Sequence, residues 1–501
     1  MIESGENALD NEQVNHETED QKSGFIRMKK FHFIMLLFLM VFLSAGITTF
    51  ALAFGDEQAV SVGTDRSEFT KLYSTFDTLK ANYYEEIEEE ELINGAINGM
   101  VQALNDPYSD YMDTREAKSF NESISSSFEG IGAEIQELDG YIQIVSPIKE
   151  SPAEKAGLRP NDKVISVDGK SIQGMSATEA VLLIRGEKGT TVTLTIERPG
   201  VSGSMDVSIV RDTIPIETVY GEMIDAENGI AKVQVTSFSE NTTEELVEAL
   251  NELKSQGMKG MVLDLRQNPG GLLDRAIEIA SLFLPNNSMI LQVEDREGNR
   301  QEIKSSNSSQ NPDVPLVVLV DQGSASASEI LAGAFKESGN IPLVGEKTFG
   351  KGTVQRAQNF KDGSNLKFTT EKWLTPDGNW IHEKGITPDV QVSLPEYATL
   401  TMINPDTELK HSSSSVEVQT AQKMLKAVGF DPGREDGFYD DGTEQAVKDF
   451  QASVNLEVTG ILTGDSTMKL MESLRNLIQS NDTQLQKAVE VLKEQMEIEK
   501  E

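Results

Sequence analysis

Three serines separated by alanines, Ser324, Ser326 and Ser328, stand just before an apolar helical run that ends near Phe335. Lys351 follows 25 residues after Ser326, held between Gly350 and Gly352, and Gln355 lies four residues further on. Those types supply a nucleophile, a general base and a group to orient the base, without a histidine. A hydroxyl at a helix N-terminus lies beside unpaired N–H groups and the positive end of the helix dipole. Such donors stabilise a tetrahedral oxyanion. The same serines would also serve as ordinary helix caps with small neighbours. A lysine deprotonates serine only when neutral, and bringing a pKa of about 10.4 down to near 7 costs about 4 kcal/mol, which burial supplies. The flanking glycines let backbone pack closely around Lys351. Lys347, the local competitor, follows Glu346 in a polar turn that would leave it solvated.

The rest of the composition removes rival chemistries. The chain has no cysteine, so thiol catalysis, disulfides and thiolate-bound metals are excluded. Its four histidines are His16, in a polar N-terminal tail, His32, in a membrane-length apolar run, and His382 and His411, neither of which has a ligand-like neighbour at i+4. A multi-histidine zinc site is therefore not expected, and a Ser–His–Asp triad would depend on His382 or His411. With 82 acidic against 44 basic residues the formal charge is −38, which repels nucleic acid.

These groups need elements to position them, and at 501 residues the chain implies two to four domains. Phe31 to Phe54 carries no charge and is long enough to span a bilayer. Arg27, Lys29 and Lys30 precede it, which predicts a cytoplasmic tail over 1–30 and the remainder outside. Ala51-Leu52-Ala53 resembles a signal cleavage site, so the run is read as an anchor or a signal, with an anchor favoured by its length. Residues 65–117 read as helical: Phe69, Leu72, Tyr73, Phe76 and Leu79 recur at threes and fours. Their apolar face implies packing on a neighbour, or self-association as a homodimer. From Phe128 to Pro199, short strands (YIQIVS, KVISVDG, TVTLTIERPG) alternate with glycine turns, with a helix near Ala177 to Ile184. From Gly229 to Leu394, the strands GIAKVQV, GMVLDL and PLVVLV each lead into a helix, an α/β pattern. A further β-rich stretch runs from VQRAQNF to KFTTEKWLTP. After the polar linker His411–Ser415, helical segments fill 416–475, and a final amphipathic helix within 482–501 would pack on the α/β region or on a partner chain.

Several of these segments resemble known families. SPAEKAGLRPNDKVISVDG, within 118–200, is similar to PDZ domains. That resemblance implies a carboxylate-binding loop in FEGIGAEI, at Gly130, Ile131, Gly132 and Ala133, beside a strand edge that accepts a peptide. VEVQTAQKMLKAVGF and EDGFYDDGTEQAVKDFQ resemble the peptidoglycan-binding repeat and imply contact with the cell wall. DQGSASASEILAGA, GEKTFGKGTVQ and VLDLRQNPGGLL, over 205–400, resemble the carboxyl-terminal processing, or tail-specific, serine proteases. The likeness reaches from AINGMVQALNDPYSDYM to WLTPDGNWIHEKGITPDV. It implies Ser326 as nucleophile, Lys351 as base, Gln355 as the group orienting the base, and an oxyanion hole from the amides of Ala327 and of Gly270 or Gly271. It also implies a crotonase-like α/β core and no metal or organic cofactor.

The chain is thus expected to be a multidomain α/β protein: transmembrane helix, helical segment, PDZ domain, crotonase-like protease core and small peptidoglycan-binding domain. The expected activity is that of a serine endopeptidase facing the wall, cleaving proteins whose C-terminal tails the PDZ domain holds. Asp264, Arg266 and Asn268 are expected to form turns and ion pairs beside the site. Arg185, at the PDZ helix–strand turn, is the candidate for reporting peptide occupancy. The rival readings are a non-catalytic scaffold that holds tails at the wall and an acyl-CoA enzyme sharing the crotonase-like core.

Overall fold

The structure, a computed structural model, describes residues 67–138, 140–306 and 314–498. The run Phe31–Phe54 lies outside them; among the described residues no helix is long and apolar enough to cross a membrane. The chain divides into two compact units between Leu92 and Ile93. In the first, the helix Thr70–Asn82 leaves Leu72, Tyr73 and Leu79 exposed.

In the second unit the PDZ sheet is antiparallel throughout, in the order Ala133–Leu138, Tyr141–Pro147, Lys163–Val167, Thr191–Glu197, Ser204–Val210. Alternation writes it: in TVTLTIE, Val192, Leu194 and Ile196 are buried while Thr191 and Glu197 are exposed. The helix Ala177–Ile184 starts at Ser176 with a reciprocal Ser176/Glu179 cap and buries Ala180 and Ile184.

One expected boundary falls inside a helix and another inside a hairpin of the PDZ sheet. The helix Thr114–Ser125 runs across 117/118, because Asp113 caps it by accepting from the amides of Arg115 and Glu116. The strand Ser204–Val210 continues the PDZ sheet past residue 200, paired along its whole length with Thr191–Glu197.

The α/β core is a six-stranded sheet. Val219–Asp225 pairs antiparallel with Ile230–Val235, and Gly260–Asp264, Leu316–Val320, Leu343–Gly345 and Val390–Gln391 follow in parallel. GMVLD and LVVLV are buried at every residue, as parallel strands covered on both faces must be. One face packs on the helices Thr242–Ser255, Leu273–Phe283 and Ala327–Gly339. The other face, Val262, Val317, Leu319 and Val344, is covered by Ala488 and Leu492 of the C-terminal helix Thr483–Ile498. A second antiparallel sheet joins Asp110–Met112, Asn365–Leu374, Met289–Glu294 and Arg300–Lys304, with Thr353–Asn359 paired to Asn365–Leu374. The helices Val416–Ala427, Asp441–Ser453 and Gly464–Ser480 form a separate core around Tyr439 and Phe450.

Candidate active site

The helix that carries the serines begins at Ala327, directly after the strand Leu316–Val320 and its loop. Ser326 stands at its N-terminus with φ 55°, a conformation rare for a side chain bearing a Cβ. A strained strand-to-helix turn is the device that lifts a hydroxyl out of a sheet edge toward substrate. The three serines part company here. Ser324 Oγ donates to Leu265 O at 2.8 Å and Ser328 Oγ to Asn268 O at 2.9 Å, both buried. Ser326 Oγ donates to no acceptor among the described residues. It lines a cavity of about 430 Å³, together with Lys351, Gln355, Lys367, Gly271 and, from the helix Thr114–Ser125, Phe120 and Ile124.

Lys351 comes from the other sheet, just ahead of the strand Thr353–Asn359. Trp373 Nε1 donates to its carbonyl at 2.9 Å, and Trp380 Nε1 to that of Gly352 at 2.8 Å. Its side chain is half-buried with Nζ 4.9 Å from the centroid of the Tyr108 ring. Burial, and then the charge of Lys367, holds its pKa below the ordinary lysine value. Lys347 is exposed. Gln355 faces the same cavity, yet its Nε2 donates to Thr353 Oγ1 at 2.9 Å and Thr369 Oγ1 at 3.2 Å, not to Lys351.

A residue absent from the sequence reading ties serine and lysine together. Glu329 is fully buried and accepts from four donors. Oε2 takes the amides of Ser326 (3.0 Å) and Lys351 (2.8 Å); Oε1 takes Gly350 N (2.7 Å) and Thr348 Oγ1 (2.5 Å). Burial nonetheless pushes its carboxyl above the usual range. Its signal was available: a Glu three residues after a helix-capping Ser is capping-box spacing. Tyr108 and Lys367 were also missed, because nothing in their local sequence places them near Lys351.

The loop Leu265–Gly271 closes the site. The Gly270 amide donates to Asn268 Oδ1 at 2.9 Å, whereas those of Gly271 and Ala327 have no acceptor among the described residues. A Cβ on Gly270 would lie 2.8 Å from Ser326 Cβ, and one on Gly271 2.1 Å from Phe238 O, so the loop passes too close for any side chain. Asn268 is a hub, with Nδ2 donating to Val235 O and its carbonyl accepting from Ala325 N and Ser328 Oγ. Arg266 pairs with Asp264 and, across the fold, with Asp482, each at 2.7 Å. These three residues thus form turns and ion pairs as expected.

In the PDZ region the amides of Ile131 and Gly132 make no hydrogen bond among the described residues, while the Gly132 carbonyl accepts from Ser151 Oγ at 2.8 Å. Ala133 opens the edge strand Ala133–Leu138. Arg185 closes the PDZ helix, its guanidinium 4.4 Å from the Phe128 ring centroid and 3.1 Å from Glu122 Oε2. Glu122 lies on the same helix as Phe120 and Ile124 of the cavity wall.

Comparison with known proteins bears on this geometry directly. The chain is 51% identical over 436 residues to "Carboxy-terminal processing protease CtpA" of Bacillus subtilis (strain 168), covering 87% of this chain and 92% of that one. It belongs to the carboxyl-terminal processing proteases. A second relative, "Carboxy-terminal processing protease CtpB" of the same organism, is 43% identical over 425 residues, 84% of this chain and 88% of that protein. The Peptidase family S41 profile matches residues 229–392, and a PDZ domain profile matches 143–198. A peptidoglycan binding domain profile matches 414–471, and the profile for the N-terminal domain of the activating protease CtpB matches 49–116. The protein is a serine-type peptidase of the cell envelope with peptide- and peptidoglycan-binding domains, and the scaffold and acyl-CoA readings fall away.

Proposed function

We propose that peptide-bond hydrolysis is carried by Ser326 and Lys351. Neutral Lys351 Nζ takes the Ser326 Oγ proton as the oxygen bonds to the scissile carbonyl carbon. The amides of Ala327 and Gly271 hold the oxyanion, Gly270 acting through its turn because its own amide is engaged. Collapse breaks the C–N bond, the leaving amine takes the proton from Lys351, and an acyl-enzyme remains. Water then adds with its proton passing to Lys351, and the serine hydroxyl is restored. Gln355 would turn from its threonine partners to orient the lysine once substrate displaces Nζ from Tyr108.

One observation supports this reading: of the three serines only Ser326 keeps its hydroxyl proton off a backbone carbonyl and lies on the cavity that Lys351 lines. Casein and tail-peptide cleavage by Ser326→Ala, Ser324→Ala and Ser328→Ala tests it. Cleavage should vanish in the first; full activity there, with loss in either of the others, refutes the assignment.

The PDZ loop Gly130–Ala133 would capture a substrate's terminal carboxylate, and Arg185 would pass occupancy to the cavity wall through Glu122. Arg185→Ala should then lose peptide stimulation, and unchanged stimulation would sink that role. Anchoring through Phe31–Phe54 would set the catalytic domains on the outer side of the cell membrane, facing peptidoglycan. The exposed Leu72, Tyr73 and Leu79 suit a homodimer contact. Membrane fractionation and sedimentation test these last two.

A further inference from the structure

Lys367 is a second ammonium in the cavity that holds Ser326 and Lys351, and the reaction above does not use it. It sits on the strand Asn365–Leu374, half-buried, with Nζ 5.3 Å from the centroid of the Phe120 ring. Among the described residues it makes no hydrogen bond and no ion pair. Its neighbours in this sheet and wall are matched: Lys372 with Glu294, Arg356 with Glu371, Lys118 with Glu129. In a chain of formal charge −38, a half-buried cation without a carboxylate stands out. The one acid on the cavity lining is Asp274, exposed in the first turn of the helix Leu273–Phe283. An ammonium over an aromatic face, away from bulk solvent, is little screened and gains most from an anion brought to it.

We infer that Lys367 is a specificity-determining residue that pairs with a substrate carboxylate near the scissile bond, either an Asp or Glu side chain or the terminal carboxylate of a short tail. The inference rests on cleavage taking place in this cavity. It gives the site a preference independent of the PDZ groove. Its charge also adds, after burial, to the lowering of the Lys351 pKa, because two ammonium groups in one cavity repel.

The test uses the full chain and peptides with one fixed tail, carrying Glu or Gln at each position flanking the cleaved bond. A second pair ends in a free acid or an amide. Each pair is measured as a kcat/KM ratio with the parent and with Lys367→Met and Lys367→Glu. A PDZ contribution is common to parent and variant, so the change in ratio isolates Lys367. At one position, or in the acid/amide pair, the parent should favour the carboxylate by about tenfold, the scale of a partly desolvated charge pair. Lys367→Met should bring that ratio to about one and Lys367→Glu should invert it. Which pair responds identifies the source of the carboxylate. The same ratios, taken as Kd in the Ser326→Ala background, remain readable if a Lys367 variant or the parent does not cleave. They therefore separate failure of this inference from failure of the protease assignment. No carboxylate preference in the parent, or one that persists in Lys367→Met, overturns it.

Discussion

Replacing Glu329 with glutamine tests whether the proposed nucleophile and base are held by one buried carboxylate. All four of its partners are donors, and Thr348 Oγ1, which donates to Glu329, also accepts from Ile386 N at 2.7 Å with one of its two lone pairs. An NH2 facing Ser326 and Lys351 would orphan two backbone N–H groups, a loss of about 2–6 kcal/mol at about 1–3 kcal/mol each. Facing the other way, it lets the Thr348 hydroxyl turn, release its proton from this acceptor and accept through its second lone pair, and the one fixed backbone N–H orphaned is that of Gly350, for about 1–3 kcal/mol. The cheaper arrangement should prevail, so the urea midpoint should fall by an amount equivalent to about 1–3 kcal/mol with little change in m. Strain would then gather at Gly350, next to Lys351, and a shift of about 1 Å there is enough to lower kcat by about 100-fold. Glu329→Ala, which orphans all four donors, should be less stable still. The reasoning fails if Glu329→Gln matches the parent in both midpoint and kcat, or if Glu329→Ala is no less stable than Glu329→Gln.

Other expectations concern the lysine, the glycine loop and the ion pair. kcat/KM should rise with pH along a one-proton limb centred below the ordinary lysine value of 10.5, and Lys367→Met should move that limb to higher pH; a pH–rate profile that does not move refutes the coupling. Because the folded value is lowered, the unfolded chain holds more protons between it and 10.5, so the stability penalty from Lys351 is fully present below the folded value and disappears as pH rises through 10.5. Gly271→Ala should cut kcat by about 100-fold or more, the cost of losing one oxyanion donor, since its Cβ would meet Phe238 O at 2.1 Å; near-parental kcat would remove Gly271 from that role. Arg266→Met leaves Asp264 and Asp482 facing each other without a cation and should destabilise by about 3–5 kcal/mol. Thermal unfolding and protease accessibility of the C-terminal helix report that loss, and unaltered values argue against a structural role for the pair.

The parts of this protein written in short-range pattern were legible in its sequence. Period-two alternation in TVTLTIE, the all-apolar VVLV and the capped helix after Ser176 each depend on neighbours within a few residues. The serine run and the glycine-flanked lysine could be singled out for the same reason, although choosing Ser326 over Ser324 and Ser328 needed the family likeness. What stayed hidden depends on long-range placement. Asp110–Met112 reads as the tail of a helix, yet it pairs antiparallel with the distant strand Asn365–Leu374. Lys367 looks like any strand lysine until that strand is set against Phe120. Gln355 is singled out by its place after Lys351 and by the family likeness, whereas its amide contacts to Thr353 and Thr369, beside a bulge between Val354 and Gln355, depend on how two strands pair.

The placement of the C-terminal helix makes the peptidoglycan-binding domain an insertion and not an appendage. The chain leaves the core sheet after Val390–Gln391, builds the small helical domain, and comes back through Asp482 to lay Ala488 and Leu492 on the strands it left. A single cut on either side of that domain therefore leaves it tethered to the protease. Stopping the chain before residue 482 would strip an apolar face of the sheet, so removal of wall binding alone calls for splicing across the insertion, with the last helix retained. Any pull from a wall-bound domain would likewise reach the protease at two points, one of them the Arg266 loop that leads into Gly270 and Gly271.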